Sequence, residues 1–322
     1  MSVRELSTSL AMNEALREEM RRDEKVFIIG EDVVLGLFGF TRGICDEFGK
    51  ERVINTPISE AGFAGAGLGA AMHGMRPVVN FGLACFIYPG LDQVLCEAAR
   101  THYMFGSQVK VPITYLCFSG SVGGGGPQHS ESLYPFFVQS PGLKVVLPST
   151  AYEAKGLLKQ AIREDDPVAV FVNRRCIASS VPEDEYTIPF GVAEIRSEGN
   201  DVTIVATGHL ANEAVAAADQ LQEEGISAEV VNLRTLVPLD KEAILKSVAK
   251  TGRVVVADDA PKACGFAAEV AAIISEECFH ALKAPIKRVT RPNVVPPFSL
   301  PLERFVLPDK EKIVEAVQQL LK

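Results

Sequence analysis

The sequence lacks the patterns that mark several common classes of protein. It has no stripe of basic residues and a net charge of −9, which argues against a nucleic acid as partner. Its seven cysteines include no Cys-x-x-Cys pair and its five histidines show no metal-ligand spacing, which argues against a structural zinc site and a disulfide framework. The uncharged runs at 77–91 and 111–130 contain glycine or proline, so neither is expected to span a membrane. A cytoplasmic protein is the resulting expectation.

Short apolar runs rich in valine and isoleucine alternate with longer amphipathic stretches along the chain. This alternation indicates β-α-β units around mainly parallel sheets, and therefore an α/β fold. A length of 322 residues is enough for two domains, each with its own core. Because the pattern lapses in a polar, proline-containing segment, we predict a first domain at 1–175, a linker at 176–200 and a second α/β domain at 201–322.

The most informative segment runs from Asn55 to Gly65. It places a single carboxylate, Glu60, at the start of an almost uncharged run that continues to Met75. A carboxyl group that acts as a proton donor needs such surroundings. The structural alternative is a helix N-terminus that Ser59 caps, with Glu60 favourably placed in the field of the helix dipole.

Small residues recur at helical spacing in the helix predicted to follow Glu60, at Gly62, Ala66, Ala70 and Gly74, and at Gly65 and Gly69. This spacing predicts a face that another backbone approaches closely, in a tightly packed helix or at a subunit interface. The spacing of glycines and alanine in this run also matches that of the dinucleotide-binding fingerprint. Because its glycines lie within a helix and not in a strand-to-helix turn, nucleotide binding is not expected there.

Several motifs resemble those of one family. Thr56-Pro57-Ile58-Ser59-Glu60, followed by Gly62-Phe63-Ala64-Gly65, is similar to the signature of the β subunits of thiamine-diphosphate-dependent 2-oxo acid dehydrogenases, a group that includes the pyruvate, branched-chain and acetoin enzymes. The likeness continues in the family's order through Gln128-His129-Ser130, Lys250-Thr251-Gly252-Arg253 and Ala284-Pro285-Ile286. It implies a transketolase-like pyrimidine-binding domain, followed by a transketolase C-terminal α/β domain, with thiamine diphosphate as cofactor.

The resemblance implies roles for three residues of the first domain. Glu60 matches the family glutamate that bonds to the aminopyrimidine ring of the cofactor. Phe86 matches an aromatic residue that stacks on that ring; a phenylalanine of the core is the alternative. Glu31 matches a family glutamate just after the first strand, and a helix cap or a solvated turn explains it nearly as well.

His129 follows a glycine-rich loop that itself follows a predicted strand. Consecutive glycines allow the backbone to approach a ligand closely or to move as a gate. A histidine titrates near neutrality and can therefore exchange protons with a substrate. The match to the family's Gln-His-Ser implies that His129 is catalytic and faces the cofactor, although Pro127 and Glu131 depart from the usual flanking residues.

Two further matches are less direct. The turn that contains Ala161, Glu164 and Asp166 resembles a potassium-holding segment of the family, which consists largely of backbone carbonyl groups. Asp258-Asp259 stands where several relatives have His-Glu, so the role of that histidine is not transferred.

The chain has no Gly-Asp-Gly motif, which enzymes of this type use with a later asparagine to hold the diphosphate through Mg²⁺. The resemblance therefore implies a second, α-type subunit that carries the metal and the diphosphate. It also implies a heterotetramer of two α and two β chains, which passes its acyl group to a lipoyl-bearing acyltransferase.

The expected function is that of a β subunit of a 2-oxo acid or acetoin dehydrogenase, most like the acetoin type. A branched-chain 2-oxo acid dehydrogenase β subunit and a non-catalytic α/β binding module are the alternatives. A self-sufficient transketolase-like enzyme is disfavoured, because the chain is short and lacks the diphosphate motif.

Overall fold

The computed structural model describes residues 3–322 and divides into two compact units. The first unit contains residues up to 119, 136–172 and 176–190. The second contains residues 120–135, 173–175 and 191–322. The glycine-rich loop before His129 therefore belongs to the second unit by its contacts, although it directly follows a strand of the first.

The first part of the chain alternates strands and helices, as the sequence pattern predicts. Its strands are β1 (Val3–Leu6), β2 (Val26–Gly30), β3 (Val53–Asn55), β4 (Arg76–Leu83), β5 (Thr114–Ser119), β6 (Lys144–Val146), β7 (Val168–Asn173) and β8 (Ser179–Pro182). Its helices are α1 (Thr8–Arg22), α2 (Ile44–Phe48), α3 (Glu60–Met72), α4 (Ala99–Met104), α5 (Tyr134–Val138) and α6 (Ala151–Arg163). A 3₁₀ segment at Ala84–Gly90 and a π-helical segment at Asp92–Ala98 lie between β4 and α4.

The main sheet of the first unit has its strands in the order β6-β7-β5-β4-β2-β3. β2 pairs in parallel with β3 and β4, β4 with β5, and β6 with β7. Every residue of β2, β5 and β7 is buried, which is typical of parallel strands that are covered on both faces. The predicted mainly parallel sheet is confirmed.

The second part of the chain forms another α/β layer structure. Its strands are β9 (Glu194–Ser197), β10 (Val202–Ala206), β11 (Ala228–Asn232), β12 (Thr235–Val237), β13 (Val254–Pro261) and β14 (Lys287–Arg291). Its helices are α7 (Leu210–Glu223), α8 (Lys241–Thr251), α9 (Phe266–Glu277), α10 (Leu300–Val306) and α11 (Lys310–Leu321), with a 3₁₀ turn at Phe279–Ala281. Strands lie in the order β14-β13-β10-β11-β9, and all pairs are parallel except that of β9 with β11. Aliphatic residues of α7 and α11 form a core with β10, β11 and β13.

Two details differ from the sequence pattern. The segment at 176–200 contributes the short strands β8 and β9, which pair antiparallel with β1 and β11. These strands are only partly buried, so they lack the apolar run that marks the others. The helical stretch after β4 is π-helical at Asp92–Ala98 before it continues as α4, a change that hydrophobic spacing does not reveal.

None of the helices in the described part of the chain, residues 3–322, is both long enough and apolar enough to cross a bilayer. The limits predicted for the two domains and the linker stay predictions.

Candidate functional site

Three of the residues singled out by sequence follow the carboxyl ends of neighbouring parallel strands. Glu31 follows β2, Glu60 begins α3 shortly after β3, and Phe86 lies in the 3₁₀ segment after β4. Because β4, β2 and β3 are adjacent, their carboxyl ends share one edge of the sheet. In open parallel sheets, ligands bind outside this edge.

Glu60 is the first residue of α3 and is partly buried. Ser59 occupies the N-cap position, but its side chain makes no capping hydrogen bond. Ser59 therefore does not perform the capping role that the structural alternative assigns to it. The backbone carbonyl of Glu60 would lie 3.3 Å from a Cβ atom at Gly90, so the segment that carries Phe86 runs close beside Glu60.

Glu31 is electrostatically coupled to Glu60. Burial raises the pKa of Glu31, and the negative charges of Glu60 and Asp32 raise it further. Its Oε1 atom is buried and has no hydrogen-bond partner among the described residues. A buried carboxylate oxygen without a donor is costly, so this position favours a ligand that donates a hydrogen bond.

Phe86 is only partly buried, whereas its neighbours Cys85 and Ile87 are buried. A core phenylalanine, the structural alternative, is normally enclosed on all sides. Phe86 is therefore less enclosed than a typical core phenylalanine.

Sequence reasoning missed two polar groups in the same region. Thr56 Oγ1 and Gln93 Oε1 are buried and have no hydrogen-bond partner among the described residues. The Thr56 amide donates to the Gly30 carbonyl at 3.0 Å, next to Glu31. The side chain of Gln93 lies against α3, with its Cγ 3.6 Å from where a Cβ at Gly65 would be. Both residues stand inside recognisable motifs, but neither motif shows that their oxygens lack partners.

His129 lies in a turn of the second unit, in a segment that we call the histidine loop (residues 120–131). Its amide donates to the Gly126 carbonyl at 3.3 Å, and its side chain is partly buried. Gly124 and Gly126 have φ angles of 76° and 67°, a region that favours glycine. A Cβ at Gly126 would lie 2.3 Å from the Phe298 ring, so only glycine fits there.

The residues just after His129 are tied to the carboxyl ends of β13 and β14. Ser132 Oγ donates to Asp259 Oδ2 at 2.6 Å. Arg291 donates from Nη1 to the Ser130 carbonyl at 3.3 Å and from Nε to the Asp259 carbonyl at 2.7 Å. Asp259 therefore anchors this segment. It is the second residue of the Asp258-Asp259 pair, which replaces the His-Glu of several relatives.

Asp258 is fully buried and accepts three hydrogen bonds. Tyr134 Oη and Thr207 Oγ1 donate to its Oδ1, and the Ala267 amide donates to its Oδ2. Burial raises the pKa of Asp258, an effect that these donors oppose. The hydrogen bonds account for a carboxyl group in an otherwise apolar interior.

Two cationic side chains of the protein bind to the turn that resembles a potassium-holding segment. Arg76 Nη1 donates to the carbonyl groups of Ile162 at 3.0 Å and Glu164 at 2.8 Å. Lys144 Nζ contacts Glu164 Oε2 at 2.5 Å and Asp166 Oδ2 at 3.0 Å. The Ala161 carbonyl accepts from the Glu164 amide at 3.3 Å. The carbonyl groups of Ala161 and Glu164 and the side chain of Asp166 are thus engaged with neighbouring residues.

The small residues of α3 divide between two faces. Gly67 packs on the main sheet, where a Cβ would lie 2.6 Å from Val79 Cγ2. By contrast, Gly62 and Ala66 are exposed, and nothing lies within 4 Å of a Cβ at Gly69. The close contact with the sheet is therefore made by Gly67, which lies outside the predicted stripes, and the close packing predicted for the stripes stays a prediction.

Two family models match the chain. The model for the transketolase pyrimidine-binding domain matches residues 4–178, and the model for the transketolase C-terminal domain matches residues 191–313. A solved structure of a split-gene transketolase, an inactive β4 tetramer, superimposes with a TM-score of 0.81 at 25 % identity and covers 98 % of both chains. The predicted transketolase-like fold is therefore confirmed.

Curated relatives match along nearly their full length. The β subunit of acetoin:2,6-dichlorophenolindophenol oxidoreductase from Bacillus subtilis is 45 % identical over 99 % of this chain and 98 % of its own. The β subunit of 2-oxoisovalerate dehydrogenase from the same organism is 43 % identical over 96 % and 97 %. The β subunit of its pyruvate dehydrogenase E1 component is also 43 % identical, over 97 % of both chains. The chain therefore belongs to the family of β subunits of the acetoin, pyruvate and branched-chain 2-oxo acid dehydrogenases.

Proposed function

We propose that this chain is the β subunit of a thiamine-diphosphate-dependent 2-oxo acid or acetoin dehydrogenase and that it holds the aminopyrimidine half of the cofactor. The observation that supports this most directly is that Glu31 and Glu60 lie near each other at the shared carboxyl edge of β2 and β3. The unpartnered oxygens of Glu31, Thr56 and Gln93 fit a polar ligand at that edge. When bound, thiamine diphosphate would supply a carbon nucleophile for cleavage beside the substrate carbonyl.

Four residues of the chain have distinct proposed roles. Glu60 holds a proton at the aminopyrimidine ring nitrogen, which is the proton-donating role that its sequence environment predicts. Phe86 offers an aromatic face for the same ring. Glu31 bonds to the polar edge of the ligand through its unpartnered Oε1. His129 exchanges a proton with the substrate oxygen, because an imidazole does so readily near neutral pH.

An α-type partner would complete the site. The chain has no Gly-Asp-Gly motif, so the diphosphate and Mg²⁺ would be held by that partner. The exposed face of α3 at Gly62, Ala66 and Gly69 suits close helix packing in a heterotetramer of two α and two β chains. A tetramer of β chains alone is described as inactive for the related split-gene transketolase, which supports the same division.

The substrate is acetoin, pyruvate or a branched-chain 2-oxo acid, and the acyl group would pass to a lipoyl-bearing acyltransferase. Identity is 45 % to the acetoin-type β subunit and 43 % to the other two types, so we place acetoin first. A cytoplasmic location and a potassium ion at Ala161, Glu164 and Asp166 stay predictions. Potassium would have to share the Glu164 carbonyl with Arg76.

The test is a cofactor-dependent assay of an α–β complex. The chain would be assayed alone and with a co-purified α-type subunit, with thiamine diphosphate, Mg²⁺ and 2,6-dichlorophenolindophenol as electron acceptor. Acetoin, pyruvate and 3-methyl-2-oxobutanoate would be offered in parallel. We expect turnover only with the partner, and a loss of about 10²- to 10⁴-fold in Glu60→Gln. Glu24→Gln, a change at an exposed glutamate outside the site, is the control.

The outcomes separate the competing functions. Full activity of Glu60→Gln in the complex, or no cofactor binding by the complex, would favour the non-catalytic binding module. Cofactor binding and turnover by the chain alone would favour a self-sufficient transketolase-like enzyme. The preferred substrate would assign the type of dehydrogenase.

A further inference from the structure

The histidine loop is rich in glycine, so its backbone has many accessible conformations. It contains four consecutive glycines, and Gly123, Gly124 and Gly126 have φ angles between 67° and 81°. Glycine loses more backbone freedom on folding than any other residue. A loop of this composition needs outside contacts if His129 is to keep one position.

Glu303 supplies such contacts at the start of the loop. It lies on α10, and only 3 % of the residue is exposed. Its Oε1 accepts from Ser121 Oγ at 2.6 Å, and its Oε2 accepts from the Gly124 amide at 3.0 Å. Ser121 Oγ in turn accepts from the Gly123 amide at 3.2 Å. Both oxygens of one buried carboxylate are thus used to fix the glycine run.

The other side of His129 is fixed by different residues. Asp259 and Arg291 hold Ser130 and Ser132 through the hydrogen bonds described above. Phe298, shortly before α10, occupies the space where a side chain at Gly126 would lie. His129 therefore lies between two anchored points, and the carboxylate of Glu303 contacts the upstream one through both of its oxygens.

We infer that Glu303 is a positioning residue for His129. It acts through the backbone of the histidine loop. The inference rests on the proposed proton-exchange role of His129. Loss of the Glu303 carboxylate frees Ser121 and Gly124, so the loop samples more conformations and the imidazole is misplaced. Displacement of a catalytic group by about 1 Å can cost on the order of 10²-fold in rate.

The variants Glu303→Ala, Glu303→Gln and Ser121→Ala test this in the α–β complex. Glu303→Ala removes both contacts, and we expect kcat to fall about 10- to 100-fold while the KM for thiamine diphosphate changes less than about 3-fold. Glu303→Gln keeps an oxygen for the Gly124 amide and an NH₂ group that can donate to Ser121, so we expect it to retain most activity. Arg304→Ala, an exposed neighbour on α10, is the matched control.

A double-mutant cycle with His129→Ala separates positioning from general damage. If Glu303 acts through His129, Glu303→Ala should cost less than about 3-fold in kcat when His129 is already absent. If the losses multiply, Glu303 does not act through His129 and the inference is overturned. Parent-like turnover of Glu303→Ala would overturn it as well. If His129→Ala alone is fully active, the role proposed for His129 fails instead, and this result is distinct from the other two.

A second measurement needs neither cofactor nor partner. Hydrogen–deuterium exchange of the chain alone should show faster exchange for peptides that cover residues 120–131 in Glu303→Ala, with α7 and β10 unchanged. Glu303→Gln should match the parent. If Glu303→Ala lowers the melting temperature of the whole chain, Ser121→Ala replaces it in both experiments. Unchanged exchange of the loop in both variants would contradict the inference.

Discussion

Burial raises the pKa of Glu31, and the carboxyl group of Glu60 lies close enough that its negative charge raises this pKa further. The Oε1 atom of Glu31 has no hydrogen-bond donor among the described residues. Two acidic groups at one edge of a sheet repel each other when both are ionised. In the chain without a ligand, this arrangement should cost stability, and a ligand that donates a hydrogen bond would relieve it.

Glu31→Gln should therefore stabilise the ligand-free chain at pH 7.5. The folded state holds the Glu31 proton more tightly than the unfolded state, so stability is lost as pH rises through the raised pKa. Since solvent screens the group, we expect a gain in Tm on the order of 1 °C, shrinking as pH is lowered toward 5. Thermal melts of Glu31→Gln and of Glu24→Gln, an exposed control, would measure it. A lower Tm for Glu31→Gln at pH 7.5 would contradict the proposed repulsion.

Phe86→Leu should weaken cofactor binding with little change in folding. Leucine keeps apolar contact but loses the aromatic face, a loss that corresponds to a KM for thiamine diphosphate higher by about 2- to 10-fold. Phe86→Tyr keeps the ring and should stay within about 2-fold of the parent. Phe136→Leu, at a partly exposed phenylalanine on α5, is the control. Equal KM values for the leucine variant and the parent would show that Phe86 is a core residue and does not stack on the cofactor.

Two buried tyrosines give opposite predictions for the same substitution. The Tyr134 hydroxyl donates to Asp258, whereas the Tyr115 hydroxyl is buried without a hydrogen-bond partner among the described residues. Tyr134→Phe should lower the free energy of unfolding by about 1–3 kcal/mol, because it removes a donor from a buried carboxyl group. Tyr115→Phe should be neutral or stabilising. Urea unfolding at pH 7.5 compares them, and an equal loss in both would refute this account.

His209 should make the chain sensitive to mild acid. The residue is buried at the start of α7, and burial lowers its pKa to about 4. Because the unfolded chain takes up this proton near pH 6.5, stability is full above that pH and is lost as pH falls toward 4. Between pH 7.5 and 5.5 the loss should be roughly 1–2 kcal/mol.

The matched variants for this prediction are His209→Gln and His280→Gln. The first should flatten the dependence of unfolding free energy on pH over this range, whatever its effect on absolute stability. The second changes an exposed histidine and should keep the slope of the parent. Identical slopes in all three proteins would show that His209 does not resist protonation.

The site residues of the first unit were predictable because local patterns locate them. Apolar runs identify β2, β3 and β4, and parallel topology then brings the residues that follow these strands to one edge. Motif spacing adds Glu60 and Phe86 from the family resemblance. The unpartnered oxygens of Thr56 and Gln93 were not predictable, because hydrogen-bond satisfaction depends on the packing of several elements at once.

The anchors of the histidine loop were not predictable for a related reason. Glu303 contacts Ser121 across 182 positions of sequence, and no local spacing joins them. Asp258-Asp259 was recognisable as a departure from the family, but its bonds to Ser132 and Tyr134 appear only once the chain is folded. The strands β1, β8 and β9 escaped detection because short, partly exposed strands carry little apolar signal.

The placement of the histidine loop has a consequence for recombining this chain with its relatives. The pyrimidine-binding model ends at residue 178, so a chimera joined there takes residues 120–131 from one parent and Glu303, Asp259 and Arg291 from the other. The loop and its anchors would then come from different proteins. Chimeras that transfer residues 120–135 together with the C-terminal domain preserve the matched set and should inherit activity more often than simple two-piece fusions.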